Sequence, residues 1–236
     1  EVRATKKNIG WPEDAHFLVP QVVREFFDRK RHELAGLERH WQQNFESYCK
    51  KHPDKADLWK RFQEKQIPPD LASKLPRFES GKALATRAVN ADVLKVLMAE
   101  VPFLVGGSAD LHPSTKTFVK DFGSVKKGDF HGRNFHFGVR EHAMGAIMNG
   151  LAYYGGGLVP YGSTFFVFSD YMKPAIRLAA LSHLQTIFVF THDSIFVGED
   201  GPTHEPVEHL AALRAIPNLS VIRPADANET AIAWQI

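Results

Sequence analysis

The chain has 236 residues, 44% hydrophobic and 24% charged, which suits a globular protein of one large domain or two small ones. A net charge of +2, with the basic runs Arg29-Lys30-Arg31 and Lys50-Lys51 interleaved with acids, leaves no basic stripe and excludes a nucleic-acid partner. No apolar run reaches the length of a membrane span, and the single cysteine, Cys49, rules out an internal disulfide and points to a reducing, cytoplasmic compartment.

Residues 1–19 read as irregular, with Gly10, Pro12 and Pro20 as punctuation. From Pro20, apolar residues at Val22, Val23, Phe26, Phe27, Leu34, Leu37, Trp41, Phe45 and Tyr48 predict a pair of packing helices, broken at His52-Pro53 before a short helix around Leu58-Trp59-Phe62. Residues 68–82 read as a linker. Beyond them helix and strand alternate. Helices are expected at 84–100, 140–153, 169–181 and 206–215, with strands at 103–105, 158–159, 186–190 and 219–222. Asp226 with Glu229 three residues on predicts a capped helix start. This alternation predicts an α/β domain with a mostly parallel sheet and helices on both faces, preceded by a helical connecting segment. The sequence starts without Met and stops inside a helical pattern, so a fragment of a longer chain is expected.

Polar residues cluster at the expected strand ends. The first strand leads to Ser108, Asp110 and Ser114, the second to Tyr161 and Ser163, and the third to Thr191-His-Asp-Ser-Ile-Phe-Val-Gly-Glu-Asp-Gly-Pro-Thr-His-Glu-Pro206. In open parallel sheets ligands bind at such ends, so His192, Asp200 and His204 are candidate acids, bases and donors; an ordinary polar turn has the same composition. Glu141 opens an apolar helix, where the helix dipole favours a carboxylate whether or not it does chemistry. Phe165, Phe168 and Tyr171 recur every three residues, either as core packing or as the wall of a slot for a flat ring. Metal spacing is absent around His204 and His209, and there is no phosphate-binding Gly-Lys-Ser/Thr loop.

Taken together, GGSADLHPS (106–114), FGVREHAMGAIMNG (137–150), PYGSTFFVF (160–168), THDSIFVGEDGPTHEP (191–206) and IRPADANE (222–229) resemble the transketolases, in order and spacing. The resemblance covers roughly residues 80–236. It implies a thiamine diphosphate-binding fold, with residues 76–236 as a pyrimidine-binding (Pyr) domain truncated on its C-terminal side. Residues 1–75 would be the end of the diphosphate-binding domain and a helical linker. The activity implied is transfer of a two-carbon ketol unit from a ketose phosphate to an aldose phosphate, in the pentose phosphate pathway.

Carried over position by position, the resemblance makes Glu141 the partner of the aminopyrimidine ring of thiamine diphosphate, where it promotes the imino tautomer. It makes Phe165, Phe168 and Tyr171 the aromatic pocket around that ring and Asp110 a neighbour of the thiazolium. Arg87, Ser114 and His192 would hold the sugar phosphate. Asp200 and His204 would contact donor hydroxyls, with His204 also assisting proton transfer. A homodimer with shared active sites is implied, as is a divalent cation, Mg or Ca, held by the diphosphate-binding domain. The motif for that cation is not in these residues, since Gly128-Asp129 is followed by Phe130. His112, Thr115 and Phe196 depart from the familiar pattern and bear on donor or acceptor preference. The alternatives are dihydroxyacetone synthase, another thiamine diphosphate enzyme, or an inactive dimerisation fragment of one.

Overall fold

The computed structural model describes all 236 residues, which divide into two compact units, Glu1–Asp57 and Leu58–Ile236. In the first, α1 (Val2–Asn8) is tied to the following turn by Arg3 donating to Asp14 at 2.6 Å. One helix, α2 (Gln21–Lys51), replaces the expected pair, because nothing between Pro20 and His52 breaks the backbone hydrogen-bond ladder. No residue of α2 is buried, and Val22, Phe27, Leu34, Leu37 and Trp41 are exposed along it. The chain breaks at His52 and resumes as α3 (Pro53–Gln63), with Pro at the first position, where a missing N–H costs nothing.

The second unit is built on a parallel four-stranded sheet of order β2-β1-β3-β4, where β1 is Leu104–Ser108, β2 Asn134–His136, β3 Val159–Phe165 and β4 Ile187–Thr191. Helices cover both faces, as the alternation predicts. Residues 68–82 are only partly a linker: they contain α4 (Leu71–Lys74), and Leu71 and Leu75 are buried in the core. On one face α5 (Thr86–Glu100) buries Val89, Val93, Leu94, Leu97 and Met98, a single stripe that meets Leu104, Val159 and Tyr161. Each such side chain contributes about 1.5–3 kcal/mol on burial.

Chain order then continues through α6 (His112–Thr115) to the opposite face, where α7 (Glu141–Tyr153) and α8 (Ser169–Leu181) pack Met144, Met148, Met172 and Ile176 around Phe188 and Phe190. Gly145 allows that crossing, since a Cβ there would lie 2.8 Å from the Cβ of Ala175. The short α9 (His209–Arg214) and α10 (Ala227–Ala233) complete the unit. Asp226 caps α10 by accepting from the Glu229 N–H at 2.8 Å, and Glu229 accepts from Ala225 N–H at 2.7 Å, so the capping pattern is present.

Two strand expectations change. β2, only three residues long, has no periodicity to read; Asn134 fixes it by bonding Val119 through both side-chain atoms. Residues 219–222 form no strand. The outer edge of β4 has no strand beside it, and β4 and Leu219 to Arg223 are among the residues that line a 1150 Å³ groove. Residues without a partner strand make no ladder. No helix is long and apolar enough to cross a membrane.

Candidate functional site

The site lies at the carboxyl ends of β1, β3 and β4. β1 reads Leu-Val-Gly-Gly-Ser and is buried throughout, with the two glycines set against neighbouring backbone. A Cβ on Gly106 would collide with the carbonyl of Tyr161, and one on Gly107 with that of Phe135. Beyond the glycines, side-chain hydroxyls shape the turn. Ser163 Oγ lies 2.5 Å from Thr117 Oγ1 and 3.1 Å from Thr115 Oγ1, and Ser108 donates to the Ser163 carbonyl at 2.9 Å. Ser108 Oγ accepts from Leu111 N–H. The polar strand-end residues Ser108, Tyr161 and Ser163 are therefore not open to a ligand: all are buried and spend their hydroxyls on protein. Burial also pushes the Tyr161 hydroxyl pKa upward, so it stays a neutral donor to the Thr117 carbonyl. The cluster holds the loop that presents Asp110 and Ser114. Asp110 itself is exposed and takes the left-handed backbone, φ 64°, a conformation Asp tolerates better than most residues.

Arg87, from the first turn of α5, reaches across these ends. Its Nη1 lies 2.9 Å from His192 Nε2 and 3.4 Å from the Ser114 carbonyl. Guanidinium only donates, so Nε2 is the acceptor and the His192 proton sits on Nδ1, 2.9 Å from Thr191 Oγ1. The imidazole is therefore neutral. Its pKa is lowered, first by partial burial and next by the Arg87 charge, which outweigh Asp200 and Asp193. The folded chain takes up this proton less readily than the unfolded one. His192 thus favours the fold above the ordinary histidine value of 6.5 and costs stability as pH falls from there toward its lowered value. Denaturant midpoints measured across that range should fall with acid, and less so in His192→Gln; equal slopes would refute this.

The ring of His192 also stacks on Phe165, with centroids 3.8 Å apart and planes at 30°. Phe165 and Phe168 are nearly parallel, at 6° and 5.9 Å; Phe168 faces Tyr171 at 6.0 Å and His204 edge-on at 5.3 Å. Phe165 is buried while Tyr171 is 66% exposed, so the wall runs from core to surface. Beside it, Glu141 sits in the first turn of α7, 8% exposed, accepting a 3.5 Å hydrogen bond from Thr164. A buried carboxylate with one long hydrogen bond keeps acceptor capacity for a further donor.

Seven of the ten residues to which the resemblance gives a role, Arg87, Ser114, Phe165, Phe168, Tyr171, His192 and His204, thus form one chain of contacts. Glu141 joins it through Thr164, the residue before Phe165. Asp200 reaches it by its charge, which acts on His192. Asp110 follows the end of β1, and its exposed side chain stays outside this chain of contacts. Sequence reasoning missed Thr164, which reads as an ordinary strand residue. It also missed Arg223, which braces the loop through a 2.6 Å ion pair to Asp193.

A family model for the transketolase pyrimidine binding domain matches residues 82–236, and one for the transketolase thiamine diphosphate binding domain matches residues 1–68. The chain belongs to the transketolase family. Among curated transketolases, that of Geobacillus stearothermophilus is 52% identical and that of Bacillus subtilis 50%, each across 100% of this chain and 35% of the relative. A crystal structure of the Pichia stipitis transketolase in complex with sedoheptulose 7-phosphate is 40% identical, with a TM-score of 0.94 over 99% of this chain and 36% of that one. The chain therefore spans about a third of the length of the transketolases it matches, and the fold described above is that of a transketolase pyrimidine binding domain with residues of the thiamine diphosphate binding domain before it.

Proposed function

We propose that the chain is the central part of a transketolase that moves a two-carbon ketol unit from a ketose phosphate to an aldose phosphate. The observation that carries this reading is the contact chain from Arg87 through His192 to the aromatic wall, with buried Glu141 beside it. In this reading residues 1–75 are the end of the diphosphate-binding domain with its helical link, and 76–236 are the pyrimidine-binding domain. The two family matches leave residues 69–81 between them.

The residues present fit the pyrimidine end of thiamine diphosphate: a carboxylate with free acceptor capacity next to near-parallel aromatic rings suits a flat ring that carries N–H donors. When bound, the cofactor supplies the nucleophilic carbon for ketol transfer. Glu141 would accept a hydrogen bond from the pyrimidine and hold its proton distribution; Phe165, Phe168 and Tyr171 would fix the ring and exclude water. Arg87, with its fork of donors, His192 and Ser114 would bind the sugar phosphate, and Asp110 would be the acidic residue near the thiazolium. Asp200 and His204 take the sugar hydroxyls, with His204 positioned to move a proton there. The divalent cation, Mg or Ca, binds on the diphosphate side. A homodimer completes the site, and the exposed apolar residues of α7 and α8, including Ile147, Tyr171, Leu178 and Leu181, support such a covered face. The single thiol suits a cytoplasmic enzyme.

The test is steady-state ketol transfer by the complete enzyme with phosphorylated and unphosphorylated donors. His192→Ala should raise KM for the phosphorylated donor by the worth of a charge-assisted hydrogen bond, about 1.5–3 kcal/mol or roughly ten- to a hundredfold, and leave the other donor nearly unchanged. Equal effects on both would remove the phosphate assignment. Transfer confined to an unphosphorylated acceptor would favour dihydroxyacetone synthase.

A further inference from the structure

His209, at the start of α9, is a buried imidazole with one nitrogen served and one not. Its Nε2 lies 3.0 Å from Asp170 Oδ2 in α8, and the other oxygen of Asp170 takes Lys173 at 2.9 Å. Its Nδ1 is shielded from solvent and has no hydrogen-bond partner. The ring is held in place by Phe166, at 5.8 Å between centroids. The charged atom that Nδ1 faces is Glu208 Oε2, 3.8 Å away, on a side chain 73% exposed.

That distance is too long for a hydrogen bond. In the neutral tautomer that donates Nε2–H to Asp170, Nδ1 presents a lone pair, and a lone pair facing a carboxylate with no cation between them is unfavourable. The same arrangement is what a metal-binding histidine adopts: one nitrogen donates to a carboxylate, which fixes the tautomer and makes the other nitrogen more basic. Bond lengths of about 2.0–2.2 Å from a zinc ion to imidazole nitrogen and carboxylate oxygen bridge such a gap with a bent N–metal–O angle. One candidate group of metal-ligating side chains occurs in the chain, and it is Asp170, Glu208 and His209. Imidazole with carboxylate suits zinc, whereas magnesium and calcium take oxygen ligands.

We propose that His209 Nδ1 and Glu208 bind a zinc ion, with Asp170 orienting the imidazole and water filling the remaining positions. The His209–Asp170 hydrogen bond joins the end of the 192–208 segment, which carries His192, Asp200 and His204, to the start of α8, which carries Tyr171, and the ion holds the imidazole in the tautomer that makes this bond. This site stands on its own residues and does not depend on the ketol-transfer reading.

The test is a zinc titration of the ¹⁵N-labelled 236-residue chain, followed by long-range ¹H–¹⁵N correlation of the imidazoles. The expected result is a saturable shift of His209 Nδ1 to the metal-bound range while Nε2 remains protonated. Asp170→Asn should weaken zinc binding by about tenfold or more, and His209→Gln should abolish the saturable phase. The proposal is overturned if His209 carries protons on both nitrogens and ignores zinc, or if zinc shifts only exposed imidazoles such as His131, which sits 3.1 Å from Asp129. It is equally overturned if His209→Gln binds as tightly as the parent. The readout on the parent chain decides the matter even if a variant fails to fold.

Discussion

Glu141→Gln in the complete enzyme should lower turnover by roughly 10²–10⁴-fold, the usual worth of a positioned acid–base group, while leaving the fold intact. The substitution preserves volume, and Thr164 can donate to the new amide oxygen as it now does to the carboxylate, at 3.5 Å. What is lost is charge. An amide cannot hold a proton from a bound ring, and it replaces an anion in the first turn of α7, where the helix dipole favours one by about 0.3–1 kcal/mol. The measurements are turnover with saturating thiamine diphosphate and a melting curve of each variant. A shift of a few degrees with near-normal turnover would sink the assigned role, because the structural part of the substitution would then be all there is.

The second large effect concerns the fold. Gly107→Ala should destabilise the second unit by about 3 kcal/mol or more, the range of severe overpacking. Gly107 pairs with Phe135 across β1 and β2, and a methyl group there would enter the space of the Phe135 carbonyl. Neither partner can turn aside, since both are backbone atoms paired in the β1–β2 ladder. The site should suffer as well, because β1 leads directly into the loop of Asp110 and Ser114. Gly150 is the control. It lies in α7, and a methyl group added there would meet nothing within 4 Å, so Gly150→Ala should be neutral or stabilise by up to about 1 kcal/mol. Urea midpoints compare the two directly; similar values for both would show that the contact at Gly107 relaxes at little cost.

The legible parts of this chain are those where a local pattern coincides with its physical cause. The helix Ser169–Leu181 has the bounds expected, and the start of α10 is capped by the residues that signal it. Other features depend on partners that a linear reading does not contain. β2 is three residues long and exists because Asn134 and its neighbours find β1. Residues 219–222 have strand composition and no strand beside them. In the site, the spacing of Phe165, Phe168 and Tyr171 fits core or slot equally; the structure shows a wall that begins buried and ends exposed. Ser163 and Tyr161 are polar groups at a strand end, but which way a strand side chain faces follows from pairing register, and here both face inward. His209 stands at no useful metal spacing from His204, while its relevant neighbour, Asp170, lies 39 residues away in sequence.

Glu1–Asp57 contains no buried residue, so the whole dry interior belongs to Leu58–Ile236. The heat capacity gained on unfolding comes from apolar surface newly wetted. The first unit withholds little of that surface from water, and melting it adds correspondingly little to the calorimetric signal. A single sharp endotherm from this chain therefore reports the sheet domain, and the helical segment can lose its order without a peak of its own.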